Sequence, residues 1–316
     1  MSYTVFVDGQ EGTTGLQIHD LLARRRDIEV LRIASDLRKD NAERARLLNA
    51  ADVVFLCLPD QAAREAASWV TNPRTCVIDA STAHRVDPAW VFGLPELAPG
   101  QRDSLRRSKR ISNPGCHSTA FILLIRPLLD AGLIDAGAAL SATSITGYSG
   151  GGRKLIEQYQ ADPMPARLAS PRPYGLSLAH KHIPEMAHWT GLRVRPVFMP
   201  IVSNFYKGLT VSVPLHFGSL RSGTDGRRVH QVLNERYAAE RFVRTMPLSD
   251  TSALEAGYFD VQACNDSNRC EVFVFASADQ AILLARLDNL GKGASGAAVQ
   301  AMNVHLGLDE GLGLVN

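Results

Sequence analysis

The first third of the chain alternates short apolar runs with longer segments of helical periodicity. The segment 16–22 spaces its apolar residues as an amphipathic helix does, and helices are also predicted at 41–50 and, after Pro59-Asp60, at 61–70. The strands predicted between them are mostly apolar, as expected when both faces of a sheet are covered, and lie at 3–8, 28–34, 51–58, 76–79 and 110–112. Strands that alternate with helices predict a parallel, doubly wound α/β sheet with right-handed crossovers.

The pattern changes in the second part of the chain, where polar and apolar residues alternate with a period of two. The strands predicted there are 140–146, 209–216, 271–275 and 280–286. Few helices interrupt them, for example 226–240, so we expect an α+β domain with a mixed or antiparallel sheet. The Ala-rich segment 293–306 predicts a helix that packs back onto the first domain, and the four prolines in 160–175 predict an irregular loop.

Composition narrows the class of protein without identifying it. The 316 residues suggest about two domains, and 45% hydrophobic with 21% charged residues is the usual range of a globular chain. A net charge of +2 favours neither a nucleic-acid partner nor an anionic membrane, and no apolar run approaches the length of a membrane span. Five cysteines do not form a disulfide framework pattern, and no signal peptide precedes the first strand. We therefore expect a cytoplasmic protein.

A glycine loop joins the first predicted strand to the first predicted helix. It contains Gly9, Gly12 and Gly15, with Thr13 and Thr14 before the last glycine. Glycines let the backbone approach a pyrophosphate, and the helix N-terminus favours its negative charge. The spacing is G-x-x-G-x-x-G, and a tight turn without a ligand is the alternative. The surrounding alternation of strands and helices favours a Rossmann-like dinucleotide site.

The end of the second strand bears on the choice of cofactor. An acidic residue there would bind a ribose diol, as in NAD sites, whereas cationic side chains accommodate the 2′-phosphate of NADP. Asp36 argues for NAD, and Ser35, Arg38 and Lys39 argue for NADP. We favour NADP(H) as the cofactor.

Cys116 lies where a turn passes into an apolar helix. Asn113-Pro114-Gly115 is turn chemistry, and an apolar run follows at 120–125. The free backbone N–H groups and the dipole at a helix start favour a thiolate, which is the nucleophilic form of cysteine. Taken alone, the segment fits a buried structural cysteine equally well.

A second candidate segment carries two histidines before a predicted helix. Pro184 fits a first helical turn, from which Glu185 can reach back to orient the imidazole of His182 for acid/base chemistry. A metal site made of His180, His182 and Glu185 is an alternative without established zinc geometry, and capping or surface histidines are another. His117 is set aside as a partner of Cys116, because adjacent helical residues point in different directions.

A glycine loop at 146–154, with Arg153 and Lys154 at its end, offers backbone N–H groups and cations to an anion. A mobile linker is the alternative. A cofactor domain, a cysteine, an oriented histidine and an anion cradle together suit one reaction. The cysteine attacks an activated acyl group, an anion leaves into the cradle, and a hydride reduces the thioester to an aldehyde.

Several motifs resemble the shorter form of the N-acetyl-γ-glutamyl-phosphate reductase family. Ser112-Asn113-Pro114-Gly115-Cys116 and the segment His180 to Glu185 are the most specific of them. Others occur at 8–15, 57–65, 79–85, 93–96 and 289–296, so the resemblance spans essentially the whole chain. Aspartate-semialdehyde dehydrogenases usually have Asn at the position of Gly115 and lack the histidine segment. This chain departs from the family at His117, where Tyr is common, and at Thr13 and Thr14, where an aromatic residue is usual.

The resemblance implies NADPH-dependent reductive dephosphorylation of N-acetyl-L-glutamyl 5-phosphate to N-acetyl-L-glutamate 5-semialdehyde in arginine biosynthesis. Cys116 would be the nucleophile and His182 the acid/base, supported by Glu185 with His180 nearby. The implied substrate residues are Asn113, Ser149, Gly150 and Arg153. The implied cofactor residues are Gly9, Gly12, Thr13, Thr14, Gly15, Ser35, Arg38, Lys39, Pro59, Ser81 and Asn289, and no metal is implied.

The resemblance also implies two domains with different functions. Residues 1–115 would bind NADP, completed by a C-terminal helix at 290–316, and residues 116–289 would carry catalysis and oligomerisation. A homo-oligomer, either a dimer or a tetramer, is expected. Two other functions stay open: a dehydrogenase of another semialdehyde, such as that of aspartate, and a catalytically silent NADP-binding regulator.

Overall fold

The structure, a computed structural model, describes residues 2–9 and 12–316, so Gln10 and Glu11 of the glycine loop lie outside the described residues. The chain forms two compact units. One comprises the chain up to Pro114 together with Ala294–Val315, and the other comprises Gly115–Gly293 with Asn316. The assignment of cofactor binding to 1–115 and 290–316, and of catalysis and oligomerisation to 116–289, stays a prediction.

The elements are numbered in chain order. The strands are β1 (Tyr3–Asp8), β2 (Ile28–Leu31), β3 (Val53–Leu56), β4 (Cys76–Asp79), β5 (Val91–Phe92), β6 (Arg110–Ser112), β7 (Ser141–Gly147), β8 (Arg172–Pro173), β9 (Val197–Ser203), β10 (Leu209–His216), β11 (Val243–Thr245), β12 (Leu254–Glu255), β13 (Tyr258–Phe259), β14 (Cys270–Ala276) and β15 (Gln280–Leu287). The helices are α1 (Thr13–Ala23), α2 (Asn41–Ala50), α3 (Asp60–Ser68), α4 (Gln101–Arg107), α5 (Cys116–Asp130), α6 (Arg153–Tyr159), α7 (Ile183–Thr190), α8 (Gly226–Tyr237) and α9 (Gly296–His305).

The first unit is built on a parallel sheet of the order β2-β1-β3-β4-β6-β5. One face packs against α1 and α9, with Val299 and Met302 in the same core as Val5 and Phe55. The other face packs against α2 and α3, where Leu48 and Ala63 share a core with Phe6 and Val54. Helices on both faces make the doubly wound fold that the alternating pattern predicts. The strand order reverses between β1 and β3, and ligands bind at such a reversal, beyond the carboxyl ends of the strands.

The second unit contains a mixed sheet of the order β11-β14-β15-β10-β7-β9-β8. Helix α5 is almost wholly buried and packs against α7, α8, β10 and β15. The opposite face of the sheet carries exposed apolar residues, with Val197 57% exposed, Met199 39% and Ile282 48%. The register puts them on one face, since Met199 lies beside Thr143 and Ile282 beside Pro214. We call this surface, defined by Val197, Met199, Pro214 and Ile282, the open sheet face.

Some predicted bounds differ from the structure. The second strand ends at Leu31 instead of residue 34, and α8 ends at Tyr237 instead of residue 240. The C-terminal helix begins at Gly296, after a π-helical turn at Gly291–Ser295 that the sequence did not predict. The irregular segment 160–175 contains a 3-10 turn at Ala166–Leu168 and the short strand β8. Among the described residues, no helix is both long and apolar enough to cross a membrane.

Candidate active site

Cys116 is the first residue of α5, as the turn and the apolar run predicted. Gly115 has an extended backbone before the helix, and its carbonyl accepts the first helical hydrogen bond from the Thr119 N–H at 2.8 Å. The Gly115 N–H donates to Oε2 of Glu185 at 3.1 Å, so α7 holds the turn that presents the cysteine. A Cβ added at Gly293 would lie only 2.7 Å from Cβ of Cys116, so the backbone beside Cys116 requires glycine.

Three histidines cluster near the start of α5 in the second unit. Sγ of Cys116 and one ring nitrogen each of His117 and His182 all lie within 4.8 Å of one another. The ring centroids of His180 and His182 are 4.8 Å apart, and those of His117 and His182 are 5.3 Å apart. Both ring nitrogens of His117 contact other residues, Ser144 and Tyr174, so its exclusion as a partner of Cys116 stays a prediction.

His182 lies at the start of α7 and is 5% exposed. Its Nε2 lies 3.9 Å from Oε1 of Glu185, within range of a charge interaction but longer than a hydrogen bond for that pair. Glu185 thus faces two residues of the site, since its other oxygen accepts the Gly115 N–H at the turn before Cys116. The metal alternative made of His180, His182 and Glu185 does not match the grouping of donor atoms, in which His117 and Cys116 join His182 instead.

The tautomer of His117 follows from its neighbours. Nδ1 lies 2.9 Å from Oγ of Ser144, and that hydroxyl donates its only proton to the carbonyl of Thr210, also at 2.9 Å. Nδ1 must therefore carry a proton and donate it to Ser144. Nε2 is left as an acceptor, and the hydroxyl of Tyr174 lies 3.2 Å from it. Burial, with the charges of His180 and Lys181, lowers the pKa of His117 to about 3, so its imidazole stays neutral at neutral pH.

His180 is also neutral at neutral pH. Burial lowers its pKa to about 4, and the nearby charge of Lys181 acts in the same direction. Its Nδ1 accepts a hydrogen bond from the backbone N–H of His182 at 3.2 Å, which fixes the turn before α7. His180 therefore packs against and orients the His182 segment.

The loop between β7 and α6 is fixed by an asparagine. The Asn289 amide donates to Oγ of Ser149 at 2.9 Å, and its oxygen accepts the Gly208 N–H at 2.8 Å. Asn289, predicted as a cofactor residue, thus holds the second-unit loop that presents Ser149 and Gly150. Ser149 is buried and Gly150 exposed. Arg153 is exposed, and its guanidinium binds Glu157 at 2.8 Å.

The glycine loop of the first unit follows β1, at the reversal of strand order. Gly9 has φ +90°, and a Cβ there would lie 2.3 Å from the carbonyl oxygen of Cys57 at the end of β3. Gly12 precedes α1 and donates to the carbonyl of Gly9 at 3.2 Å. Thr13, Thr14 and Gly15 form the first turn of α1, whose N–H groups are available to a phosphate. Pro59 immediately precedes α3.

The predicted 2′-phosphate residues lie beyond β2. Nε of Arg38 donates to the carbonyl of Ser35 at 3.0 Å, and Ser35 and Lys39 are exposed. Ser81 belongs to a buried network that the sequence analysis did not describe. Its hydroxyl donates to Asp79 at 2.7 Å, and Nδ1 of His84 lies 2.7 Å from the same carboxylate oxygen.

Asn113 is 1% exposed at the end of β6. Its amide donates to the carbonyl of Ala294 at 3.0 Å, and its Oδ1 is buried without a partner among the described residues. A buried acceptor without a donor is costly, so this oxygen is suited to accept a hydrogen bond from a bound ligand.

Sequence comparisons identify the class to which this fold and site belong. Residues 4–105 match the semialdehyde dehydrogenase NAD binding domain, and residues 116–289 match the semialdehyde dehydrogenase dimerisation domain. The chain also has the fold of aspartate semialdehyde dehydrogenase II of Vibrio cholerae, complexed with ASA, with a TM-score of 0.73, 15% identity and coverage of 97% and 98% of the two chains. Aspartate semialdehyde dehydrogenase of Francisella tularensis gives a TM-score of 0.71 at 13% identity, covering 96% and 99%. The class is that of the NAD(P)-dependent semialdehyde dehydrogenases, which are oxidoreductases.

Closer relatives narrow the class further. N-acetyl-gamma-glutamyl-phosphate reductase 2 of Nostoc sp. is 46% identical over 317 residues, covering 98% of each chain. The N-acetyl-gamma-glutamyl-phosphate reductase of Burkholderia cenocepacia is 46% identical over 306 residues, covering 96% of this chain and 97% of the relative. The chain belongs to the N-acetyl-gamma-glutamyl-phosphate reductase family, and the resemblance drawn from its motifs is confirmed.

Proposed function

We propose that the protein reduces N-acetyl-L-glutamyl 5-phosphate with NADPH to N-acetyl-L-glutamate 5-semialdehyde and phosphate, as a cytoplasmic enzyme of arginine biosynthesis. The observation that carries the proposal is the position of Cys116 at a helix start beside His182. Relatives at 46% identity over nearly the whole chain support the choice of substrate.

Cys116 is the nucleophile of this reaction. Its thiolate attacks the acyl carbon, the bond from that carbon to the phosphate oxygen breaks, and phosphate leaves with the bonding electrons. The product of this half-reaction is a thioester on Cys116. The first turn of α5 offers backbone N–H groups that stabilise the thiolate before the attack.

His182 is the acid/base of the second half-reaction. His182 would protonate the carbonyl oxygen as negative charge develops on it, while NADPH, when bound by the first unit, would supply the hydride for the thioester carbon. Return of that proton expels the Cys116 thiolate and releases the aldehyde. Glu185 supports both steps, because one carboxylate holds the turn before Cys116 and faces His182.

The substrate-binding residues are Ser149, Gly150, Arg153 and Asn113. The loop carrying Ser149 and Gly150 is held by Asn289, and the exposed Arg153 can exchange Glu157 for an anionic group of the substrate. The buried oxygen of Asn113 accepts a donor such as an amide N–H. The amide N–H of the N-acylated substrate would supply this donor.

The cofactor is NADP(H), bound by the glycine loop, Thr13, Thr14, Pro59 and Ser81, with Ser35, Arg38 and Lys39 at the 2′-phosphate. Asn289 serves from the second unit by keeping its loop in place. We further propose a homo-oligomer in which the open sheet face of one copy packs against that of another, because this face exposes apolar side chains in the part of the chain that matches a dimerisation domain.

The reaction is tested by following NADP⁺ reduction with N-acetylglutamate semialdehyde and phosphate. We expect kcat/KM to exceed that for aspartate semialdehyde by at least on the order of 10³-fold, since a site built for a polar substituent rejects the analogue lacking it. Equal or greater activity with aspartate semialdehyde would assign the other dehydrogenase. NADP binding without turnover of either aldehyde would instead identify a regulator.

A further inference from the structure

We propose that Cys116, His117 and His182 also form a binding site for a thiophilic divalent cation, Zn²⁺, which displaces the acyl substrate and inhibits the enzyme reversibly. Binding of the cation rests on the geometry of these side chains and their neighbours, and not on the proposed function. The inhibition additionally rests on the proposed function, in which Cys116 must be free to attack.

The donor set is that of zinc sites. One thiol sulfur and two imidazole nitrogens lie within 4.8 Å of one another, and both histidines are at most 5% exposed. Zinc bonds of about 2.3 Å to sulfur and about 2.0–2.1 Å to nitrogen require ligand atoms roughly 3.5 Å apart. A contraction on the order of 1 Å, within the reach of small side-chain rotations, closes the site on three ligands and leaves the fourth position to water.

His117 has the hydrogen bonding of a metal-ligating histidine. Its Nδ1–H donates to Ser144, which in turn donates to the carbonyl of Thr210. Such a partner on the far nitrogen fixes the tautomer and the orientation of a ligating imidazole. The nitrogen left with a lone pair is Nε2, so His117 is oriented to offer that atom to a cation.

Tyr174 competes with the cation for this nitrogen. Its hydroxyl lies 3.2 Å from Nε2 of His117, and the tyrosine is 36% exposed, so it can turn towards solvent. The loop that follows has Gly175 at φ +65° and Leu178 at φ +58°. Cation binding therefore requires Tyr174 to exchange its hydrogen bond with His117 for one with water.

Charge balance also favours a cation. The Cys116 thiol releases its proton to solvent on binding, which leaves one negative charge on sulfur. The buried carboxylate of Glu185, 3.9 Å from Nε2 of His182, adds a second. Lys181 is the opposing positive charge nearby, and it is exposed. Soft sulfur and imidazole donors select Zn²⁺ over Mg²⁺, so Mg²⁺ serves as the negative probe.

The binding test uses the full-length protein without substrate and Co²⁺ as a spectroscopic probe. We expect a sulfur-to-cobalt charge-transfer band that Zn²⁺ abolishes by competition and Mg²⁺ does not. The band should be absent in Cys116→Ser and unchanged in His188→Asn, which removes an exposed histidine of α7. Absence of the band in the wild type, or its survival in Cys116→Ser, overturns the proposal.

Two further variants test the geometry without removing a ligand. Ser144→Ala should weaken Zn²⁺ binding by about 10–100-fold, the usual effect of losing the partner of a ligating histidine. Tyr174→Phe should tighten it severalfold because the competing hydroxyl is gone. Unchanged affinity in both variants would exclude His117 as a ligand.

The inhibition test measures aldehyde oxidation at increasing Zn²⁺. We expect loss of activity that a chelator reverses and that saturating acyl substrate prevents, with the inhibition constant raised in Ser144→Ala and lowered in Tyr174→Phe. An inhibition constant for Zn²⁺ that is the same in both variants as in the wild type overturns the assignment of these ligands. A wild-type protein with no activity would contradict the proposed function, while the Co²⁺ band would still decide the cation site.

Discussion

The three histidines near Cys116 differ in their hydrogen-bond partners and in the reactions that those partners permit. His117 is held as a neutral imidazole by Ser144 and Tyr174, and His180 is neutral because burial lowers its pKa to about 4. These two histidines shape the site, and His182 is the one we assign to proton transfer. The assignment separates the three rings by function although their centroids are only 4.8–5.6 Å apart.

Replacing the nucleophile separates chemistry from cofactor binding. We expect Cys116→Ala to abolish phosphate-dependent oxidation of N-acetylglutamate semialdehyde, because the attacking sulfur is gone. NADP⁺ affinity should stay within about twofold, because the substitution removes no residue proposed to bind the cofactor. Turnover and fluorescence titration of the cofactor check the two parts. Residual turnover near the wild-type rate would remove Cys116 from its proposed role.

Replacing the acid/base should lower kcat more than it changes KM. His182→Asn is expected to reduce turnover by about 10²–10⁴-fold, the usual contribution of a positioned proton donor. His188→Asn, on the exposed side of the same helix, is the matched control and should keep near wild-type activity. A loss below about threefold in His182→Asn would indicate a structural histidine.

Buried neutral histidines make stability depend on pH. A histidine in the unfolded chain has a pKa of about 6.5. In the folded protein the pKa is about 3 for His117 and about 4 for His180. Below pH 6.5 the unfolded chain thus binds more protons than the folded chain, so the free energy of unfolding falls as the pH falls towards 3. Urea midpoints measured from neutral pH to about pH 4.5 check this.

The control for this pH dependence is His117→Gln, which keeps an N–H donor for Ser144 but does not titrate. Its stability should fall less steeply on acidification than that of the wild type. Parallel curves for the two proteins would show that His117 does not contribute to the pH dependence.

At the scale of elements, the close contact between the β1–α1 turn and the end of β3 decides which residues are allowed. Gly9 combines φ +90° with a position where a Cβ would lie 2.3 Å from the Cys57 carbonyl, so both strain and overlap exclude a side chain. Gly100 shares a positive φ of +79° but has open space around it.

The pair Gly9→Ala and Gly100→Ala therefore separates the two effects. Gly100→Ala should cost about 1 kcal/mol of stability, the strain of a left-handed alanine. Gly9→Ala should cost at least about 2 kcal/mol more, because backbone atoms must move, and it should also raise KM for NADPH by distorting the phosphate turn. Equal denaturation midpoints in the two variants would contradict the close contact.

Elements with regular hydrophobic periodicity were predictable from the sequence. Helix 41–50 and the strands 76–79, 110–112 and 209–216 lie at the predicted bounds. Strand β9 was missed because Pro200 argues against a strand, and here the sheet tolerates it. Helix α4 was missed because Leu105 is its one buried residue, so its apolar periodicity is weak.

The nucleophile segment and the histidine segment were also predictable, because each carries its chemistry in consecutive residues. The support around His117 was not, since Ser144 and Tyr174 are 27 and 57 residues away in sequence. One signal was present. The alternation of β7 puts Ser144 on the buried face between Ala142 and Thr146, and a buried hydroxyl there requires a partner.

At the scale of the whole molecule, the open sheet face carries the proposed interface between copies. Ile282→Lys should dissociate the proposed oligomer, since two copies of an apolar contact worth about 1.5–3 kcal/mol each are lost from a symmetric interface. Val315→Lys changes an exposed apolar residue of the first unit and is the control. Light scattering of both variants checks the result, and an oligomer that survives Ile282→Lys would place the interface elsewhere.

The first unit is discontinuous along the chain, and this has a consequence for synthesis on the ribosome. Its core needs Val299 and Met302 of α9, which are translated only after the whole of the second unit. The sheet β1–β6 emerges first, but the part of one apolar face that α1 does not cover stays exposed until α9 appears. The second unit, from Gly115 to Gly293, is continuous and needs no such late element for its own core. The nascent protein therefore completes its units in the reverse of the order in which they begin. During translation of the second unit, the sheet surface that α9 will cover is accessible to chaperones.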